Sequence, residues 1–460
     1  MEFKVYRYLL ERQDSKMADS YKALIVLPNQ LFYDSRGIKC PSDSIPSSPM
    51  IYDYVCVVEH PSFFITESKD KIVLLRSCMK AFYDNLEMPK TYIDYADYNI
   101  NEICKNIHKR SPKATTIYIA NPEDFDIFQE LDKIKYKIKV HTSRLFIIPF
   151  EEILQDTHED IISFSTHYIK KYNLQDFLVA SENPAEIVPE ECPISSYQKE
   201  ALEYAKTDKS LNYCWDSRKT LMEVLTKGFS KNVLPVHPTH LFTIMDTGLI
   251  TPWDAINILR VTHLNITTTT QLIRMLFGRE YYRSKYVKFY NKEISNTPIE
   301  SRRMSKAFAT GTTTYPVFND IINNIKSTGL PLEHQVLSCF KDITLLCQIH
   351  LKDVYDWLMQ HLVNSYPWYV FGMIHTEFRC DALVAPPYIM TTSEVQDVLK
   401  HIASSNVLVA SDWSQLVMLF INTHDNLMQR DVRTRIWKKK KAKNKKIIIE
   451  KANLFLDKLG

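Results

Sequence analysis

Glycine scarcity is the feature that most constrains this chain. Only 8 of its 460 residues are glycine, where about 7% is usual. Gly37 is the only one before Gly228. Phosphate-cradling loops need clustered glycines, because backbone N–H groups must approach the phosphate closely. The sequence therefore excludes a P-loop and a Gly-x-Gly-x-x-Gly fingerprint, and with them a kinase or a nicotinamide dehydrogenase of the usual kind.

The rest of the composition is typical of a globular protein from a reducing compartment. Apolar residues make up 45% of the chain and aromatic residues 12%, which excludes a disordered chain. No apolar run approaches the roughly 18 residues of a membrane span, and the N-terminus lacks a signal-peptide pattern. The nine scattered cysteines include no Cys-x-x-Cys pair, which favours free thiols. We expect an intracellular protein, in the cytoplasm, the nucleus, or a virus factory or virion.

The first 150 residues alternate strand-like and helix-like segments. Apolar runs predict strands at Ala23–Leu27, Tyr54–Val58 and Thr116–Ala120, with shorter ones at Tyr92–Tyr95 and Ile138–Val140. Amphipathic stretches between them predict helices. This alternation indicates a parallel sheet, since parallel strands need crossover connections. We predict an α/β domain over residues 1–150.

The remainder of the chain changes character twice. Residues 151–196 form a predicted linker, because Pro184, Pro189 and Pro193 lie among acidic residues with little periodicity. From residue 197 to 460, amphipathic segments predict a mostly α-helical domain. The predicted fold class is therefore an α/β N-terminal domain followed by a larger all-α C-terminal domain.

Positive charge is concentrated in one C-terminal segment. The net charge is +3, yet residues 430–446 hold three Arg, seven Lys and one Asp, or +9, so the rest sums to −6. Such a segment binds nucleic acid by releasing counterions, and the alternative is a solvated basic helix or tail. The candidate nucleic-acid residues are Arg433, Arg435, Lys438, Lys439, Lys440 and Lys441.

A polar helical stretch in the second half carries a pair of arginines. Arg279 and Arg283 are four residues apart, within Gly278-Arg279-Glu280-Tyr281-Tyr282-Arg283. They share a helix face and could hold a phosphate or a carboxylate bidentately. The alternative interpretation is a solvated helix with an Arg–Glu pair.

The remaining polar candidates carry weaker signals. His237 and His240 have the spacing of a metal pair but lack a third ligand nearby, which favours a structural role. His334 could act as a general acid or simply be a polar helix residue. Trp357 lies on an apolar helical stripe typical of core packing. No serine elbow, zinc-protease motif or deaminase signature is present, so the residues alone do not indicate an enzyme.

Several segments, in order along the chain, resemble the cryptochrome/photolyase superfamily, and specifically its photolyase-related branch of prokaryotic (6-4) and iron–sulfur type. Leu27-Pro28-Asn29-Gln30-Leu31 is similar to the branch's Leu-Gly-Asp-Gln-Leu, and the Arg279 stretch resembles its Gly-Trp-Arg-Glu-Tyr-x-Arg. Gly248-Leu249-Ile250, Val354-Tyr355-Asp356-Trp357 and Tyr366-Pro367-Trp368 follow the branch's order. The resemblance covers essentially the whole chain.

The resemblance implies an antenna-type α/β domain and a helical domain built around FAD. In such enzymes excited reduced flavin donates an electron to a pyrimidine lesion flipped out of DNA. By this resemblance Thr239, Arg279, Arg283 and Asp342 would contact the flavin. His334 would be the lesion-protonating histidine and Trp357 an electron-transfer residue.

The departures from the branch point to loss of flavin chemistry. The positions of its four cluster cysteines, near Val317 and within Pro387–Asp412, hold no cysteine, so we predict that the iron–sulfur cluster is absent. Only Trp357 remains of the electron-transfer chain. The Thr-Gly-Asn turn has become Phe340-Lys341-Asp342, and burying Lys341 and Asp342 unpaired would be costly.

Three functional hypotheses follow. The favoured one is a divergent, non-catalytic photolyase-related protein that keeps the fold for DNA or partner binding. The alternative is an FAD-dependent, light-driven DNA photolyase of (6-4) type without the cluster. A third is an assembly component of a viral or other large complex. Its only support is that the composition suggests an AT-rich genome.

Overall fold

The computed structural model of the chain divides into two compact units, Met1–Ser284 and Lys285–Gly460. The division falls inside a long helix. The structure describes residues 21–33, 52–110, 115–177, 185–262, 264–290, 302–330, 334–377, 388–402, 410–424, 428–429 and 431–458.

A five-stranded parallel sheet forms the centre of the first unit. Its strands are β1 (Tyr21–Val26), β2 (Tyr54–Val58), β3 (Lys90–Ile93), β4 (Thr115–Ala120) and β5 (Ile138–His141), in the spatial order β3-β2-β1-β4-β5. Every neighbouring pair is parallel. β2 and β4 are buried along their whole length, which explains why they appear in the sequence as continuous apolar runs. The predicted parallel sheet is confirmed.

Helices connect these strands as crossover elements. They are α1 (Pro61–Phe64), α2 (Lys69–Asn85), α3 (Ile100–Arg110) and α4 (Phe125–Asp132). α2 begins at Ser68, whose hydroxyl accepts the N–H of Lys71. α4 begins at Asp124, whose carboxylate accepts the N–H of Asp126 at 2.9 Å. Both are ordinary N-caps, and they fix where each crossover helix starts.

The rest of the first unit is mainly helical. Its helices are α5 (Phe150–Gln155), α6 (Ile161–Lys171), α7 (Ser196–Ala205), α8 (Arg218–Ser230), α9 (Pro238–Thr247) and α10 (Pro252–Val261), and α11 (Ile266–Phe289) continues into the second unit. A short parallel ladder joins β6 (Glu186–Ile187) to β7 (Val233–Leu234). α9 ends at Gly248, and Thr251 caps α10 in a capping box with Asp254.

The second unit is all-helical in the described ranges apart from one isolated β-bridge. Its helices are α12 (Lys306–Thr310), α13 (Pro316–Thr328), α14 (His334–Leu346), α15 (Leu351–His361), α16 (Pro367–Glu377), α17 (Thr392–Ile402), α18 (Ala410–Thr423), α19 (Val432–Lys439) and α20 (Ala442–Asp457). Trp368, Trp413 and Phe420 are among its fully buried side chains. These large rings form the core of this unit.

The predicted fold class is confirmed: a parallel α/β region precedes a mostly helical one. The predicted domain boundaries at residues 150 and 196 remain predictions. Within the ranges that the structure describes, no helix is both long and apolar enough to cross a bilayer.

Candidate functional site

The crevice at the carboxyl ends of β1 and β4 is where an open parallel sheet usually binds its ligands, since strand order reverses there. In this chain the crevice is closed by its own side chains. The Gln30 amide donates to the carbonyl of Ala120 at 2.8 Å, and the Asn29 amide donates to the carbonyl of Pro122 at 3.3 Å. Both residues are buried. These bonds join the two strand ends directly.

The end of α9 closes the same region from another side. The N–H of Leu31 donates to the carbonyl of Thr247 at 3.2 Å. Gly248 follows with φ +80°, and a Cβ there would lie 2.9 Å from the nitrogen of Leu31 and 3.0 Å from the carbonyl oxygen of Asn29. Only glycine allows this backbone approach without strain. One of the chain's few glycines therefore serves contact between protein segments.

A second polar cluster lies at the end of β2. The guanidinium of Arg76 lies 2.6 Å from Glu59, which is fully buried, and 2.8 Å from Asp94. It also stacks 3.7 Å from the ring centroid of Tyr204 in α7. Burial raises the pKa of Glu59, and its hydrogen bond from Tyr92 and the charge of Arg76 oppose that rise. The cluster attaches α7 to the sheet.

Arg283 is fully buried in the first unit. Its Nε and Nη2 donate to the two oxygens of Glu123 at 2.8 Å each, and its Nη1 donates to the carbonyl of Ile148 at 2.7 Å. The guanidinium also lies 4.2 Å from the Phe146 ring centroid. Both side chains of the ion pair are only 2% exposed. Arg283 thus binds a carboxylate bidentately, as its residue type predicts, but that carboxylate belongs to the protein.

Arg279 is engaged in the same way, one turn earlier on α11. Its guanidinium pairs with Asp246 of α9, and both side chains are buried. Burial raises the pKa of Asp246 to about 6, and the charge of Arg279 opposes that rise. Between the two arginines, Glu280 is fully buried and accepts the N–H of Ile147 at 2.5 Å. The interpretation of this stretch as a solvated helix was therefore wrong.

Thr239 lies in the first turn of α9 and is half-buried. Its N–H donates to the ring of His237 at 3.2 Å, which caps the helix. His240 stacks on Tyr213 with 4.1 Å between ring centroids. Burial, reinforced by His237, lowers the pKa of His240 to about 4. A neutral stacked imidazole and a capping imidazole agree with the predicted structural role of this pair.

Asp342 and Lys341 lie in α14 of the second unit, and they are paired. Their charged atoms are 3.0 Å apart, and both side chains are buried. Asp342 accepts the N–H of Met390 at 2.7 Å, while Lys341 donates to the carbonyl of Tyr388 at 2.7 Å. Burial raises the pKa of Asp342 to about 6. The two residues hold the 388–390 segment, so the cost of burying them unpaired does not arise.

Trp357 is a packed core residue of α15. Its ring stacks on Phe340 with centroids 4.7 Å apart, and its indole N–H donates to the carbonyl of Ala309 at 3.0 Å. His334 is the first residue of α14, and its side chain lies outside the described part of the structure. The predicted electron-transfer and proton-donor roles of these two residues remain predictions.

The basic segment forms α19, a turn and the beginning of α20. Arg433 is engaged within the unit, because its guanidinium binds Asp431 and donates to the carbonyl of Ile389 at 2.9 Å. Trp437 is buried and anchors α19. The other candidate cations are exposed, except for Lys440, which is half-buried: Arg435, Lys438, Lys439, Lys440 and Lys441.

The flavin-contacting roles that the resemblance implies for these side chains remain predictions. Arg279, Arg283 and Asp342 each bind another group of their own unit, and only Thr239 has a side chain partly open to solvent. No group of three or more potential metal ligands occurs among the described residues. Part of the region from Pro387 to Asp412 lies outside them, so the expected loss of the iron–sulfur cluster remains a prediction.

Comparison with known proteins finds one matching family model and several solved structures of similar fold. Residues 24–185, about a third of the chain, match the family described as deoxyribodipyrimidine photo-lyase-related protein. No curated protein matches the chain by sequence. The solved structure of a Synechocystis cryptochrome is 12% identical, with 90% of this chain and 89% of that chain covered at a TM-score of 0.50. The N-terminal third of the chain is thus similar in sequence to photolyase-related proteins, and the backbone has the fold of the cryptochrome.

Two photolyases have similar backbones at lower scores. A class III photolyase from Agrobacterium tumefaciens is 10% identical, covering 97% of this chain and 99% of its own at a TM-score of 0.49. An archaeal photolyase from Sulfolobus tokodaii, described with two FAD molecules, is 11% identical, covering 88% and 100% at a TM-score of 0.47.

Sequence reasoning missed the carboxylate partners of Arg279 and Arg283. Glu123 lies just before α4, and Asp246 lies in the last turn of α9. Each is a carboxylate next to a break in secondary structure, a pattern shared by many surface residues. It also missed Lys71, which is 1% exposed on α2, because a lysine on an amphipathic helix is usually solvated.

Proposed function

We propose that the chain is a non-catalytic photolyase-related protein that binds DNA through a basic surface. We define this basic surface as Arg435, Lys438, Lys439, Lys440 and Lys441. The observation that carries the proposal is the placement of these five cations at the junction of α19 and α20, four of them exposed and one half-buried. Such a cluster attracts phosphates through counterion release.

The local structure keeps these cations directed to solvent. Trp437 and Thr434 are the buried residues of α19, and they hold the helix against the unit. Arg433 takes up the charge of Asp431, the only acidic residue between positions 430 and 446. No acidic residue lies between Arg435 and Lys446 in the sequence.

The non-catalytic part of the proposal rests on the engaged state of the candidate cofactor residues. Releasing Arg283 from Glu123 to serve a ligand would leave a carboxylate buried and uncompensated, which costs several kcal/mol, roughly 3–5. Asp342 would likewise have to give up Lys341 and the N–H of Met390. These contacts favour a role of Arg283 and Asp342 in stabilising the fold.

The test of DNA binding is its dependence on salt. If all five cations contact phosphates, a plot of log K against log salt concentration should have a slope of about −4.5, which is roughly a 500-fold loss from about 50 to 200 mM salt. The triple variant Lys439→Glu, Lys440→Glu, Lys441→Glu should bind weakly, with a slope reduced by about 3 units.

A matched control separates this surface from general charge. Lys109→Glu, Lys199→Glu and Lys219→Glu change the net charge by the same amount at exposed positions of the first unit. Their combination should leave both the affinity and the slope close to those of the wild type. Equal losses in the two triple variants would contradict the assignment of this surface.

The absorption spectrum of the purified protein tests the non-catalytic part. A chain that lacks flavin bands and does not take up added FAD supports the proposal. Flavin bands, together with blue-light repair of a (6-4) lesion that His334→Ala abolishes, would instead establish the photolyase alternative.

A further inference from the structure

One exposed segment of the first unit is both acidic and apolar. It comprises residues 185–194, which we call the acidic segment. It contains three glutamates and no cation, and Ile187, Val188 and Ile194 are 42%, 46% and 48% exposed. Exposed aliphatic side chains on a segment of one charge sign are typical of a docking site.

The backbone of the acidic segment is held in place, so its side chains are presented in a fixed arrangement. β6 pairs with β7, and the N–H groups of Val188 and Glu190 donate to the carbonyls of Leu234 and Pro235 at 3.0 and 2.8 Å. Glu190 also lies 3.4 Å from Lys227, whereas Glu186 and Glu191 are exposed. Binding such a preformed segment costs little conformational entropy.

The terminal helix of the second unit carries a surface of the opposite charge. On α20 the core face holds Ala452, Phe455 and Leu456. The opposite face holds Ile447 and Leu454, which are 42% and 56% exposed, flanked by the exposed Lys443 and Lys451. We call these four residues the basic stripe. Its aliphatic side chains are only partly buried in their own unit. Glu450 also lies on this face, and Lys446 offsets its charge at 3.9 Å.

The two surfaces match in charge and in dimension. Lys443 and Lys451 are eight residues apart on a helix, about 12 Å at 1.5 Å per residue. Glu186 and Glu191 are five residues apart in extended chain, at most about 17 Å. Lysine side chains span the difference, and aliphatic groups lie between the charges on both surfaces.

We propose that the acidic segment of one copy of this chain docks on the basic stripe of a second copy. Because the two surfaces differ, the contact is head-to-tail, and each pair retains one free acidic segment and one free basic stripe. Association then continues into longer chains as concentration rises. The contact is small, so we expect it to be weak, with a Kd on the order of micromolar or above. The proposal does not depend on DNA binding, since the charges involved lie outside Arg435–Lys441.

Sedimentation velocity of nuclease-treated protein over a range of concentrations tests the proposal. At about 50 mM salt, the weight-average sedimentation coefficient should rise with concentration, and about 500 mM salt should weaken that rise. The double variants Glu186→Lys, Glu191→Lys and Lys443→Glu, Lys451→Glu should each stay monomeric, because both surfaces then carry the same sign. An equimolar mixture of the two should associate.

Charge-matched controls distinguish this contact from general attraction. Glu67→Lys with Glu203→Lys, and Lys109→Glu with Lys219→Glu, produce the same net charges at other exposed sites. Each control should self-associate like the wild type. A wild-type chain that is monomeric at every concentration overturns the proposal, as does association in either surface variant alone. Monomeric chain that sediments with vesicles of equal parts phosphatidylserine and phosphatidylcholine would assign the stripe to a lipid surface instead.

Discussion

The buried pair of Arg283 and Glu123 provides the sharpest test of how the first unit is stabilised. Arg283 makes three charge-assisted hydrogen bonds of 2.7–2.8 Å, two of them to Glu123, and each side chain is 2% exposed. In Arg283→Met the carboxylate would remain buried without its partner. Removing one member of such a pair costs about 3–5 kcal/mol. We expect a loss of this size in the free energy of unfolding at pH 7, measured by guanidinium denaturation followed by circular dichroism.

The companion variant separates the charge from the packing. In Arg283→Met with Glu123→Leu, both members of the pair become apolar, and such replacements are often neutral or stabilising. Buried Glu280, 3.6 Å from Arg283 in the wild type, keeps its carboxyl in both variants. The double variant should therefore recover most of the loss. Burial already raises the pKa of Glu123, and losing Arg283 raises it further, so the defect of Arg283→Met should shrink as the pH falls. A single variant that loses under about 1 kcal/mol, or a double variant less stable than the single one, would refute the reasoning.

Three other changes test neighbouring features. Burial raises the pKa of Glu280 from its ordinary value of 4.5 to about 7. Unfolding therefore releases a proton between these two pH values, so the stability falls as the pH rises from 4.5 to 7. Over that range the wild type should lose about 3 kcal/mol more than Glu280→Gln in urea titrations. Burial lowers the pKa of Lys71 to about 7. The free-energy penalty of burying this lysine grows as the pH falls from 10 toward 7, so Lys71→Met should be more stable than the wild type by about 1–4 kcal/mol at pH 7 and by less near pH 10. An equal gain at both pH values would contradict this reasoning. Gly248→Ala should lose about 2–4 kcal/mol, because its φ of +80° and the 2.9 Å approach to Leu31 both oppose a Cβ. Gly278→Ala, whose Cβ would meet nothing closer than 3.8 Å, is the control and should be neutral or stabilising.

The sheet could be predicted because its strands carry a signal in neighbouring residues. Each of the central strands is a run of apolar residues bounded by polar ones, and in the structure β2 and β4 are buried along their whole length. The helix stop at Gly248 and the start at Thr251 were predictable for the same reason, since capping depends on residues within one turn.

The candidate site could not be predicted to the same degree, because its determinants lie far apart in sequence. Arg283 and Glu123 form a pair across a separation of 160 residues, and Arg279 reaches Asp246 across 33. Nothing near an arginine in the sequence states whether its guanidinium will meet a ligand, a carboxylate of the same chain or water. The buried pair of Lys341 and Asp342 shows the same limit. The two residues are adjacent in sequence, so their pairing could be predicted, but their contacts with residues 388–390 could not.

Because Glu123 and Arg283 are far apart in sequence, the ribosome synthesises them at well-separated times. Ribosomes add about 5–20 residues per second, so roughly 8 to 32 seconds pass between the synthesis of the carboxylate and that of the guanidinium that neutralises it. For most of that interval, from His141 onward, all five strands of the sheet have been synthesised, while Arg283 has not. In such a nascent chain, Glu123 at the carboxyl ends of the strands still lacks its partner. We expect chaperone binding or early misfolding to occur at that edge of the sheet.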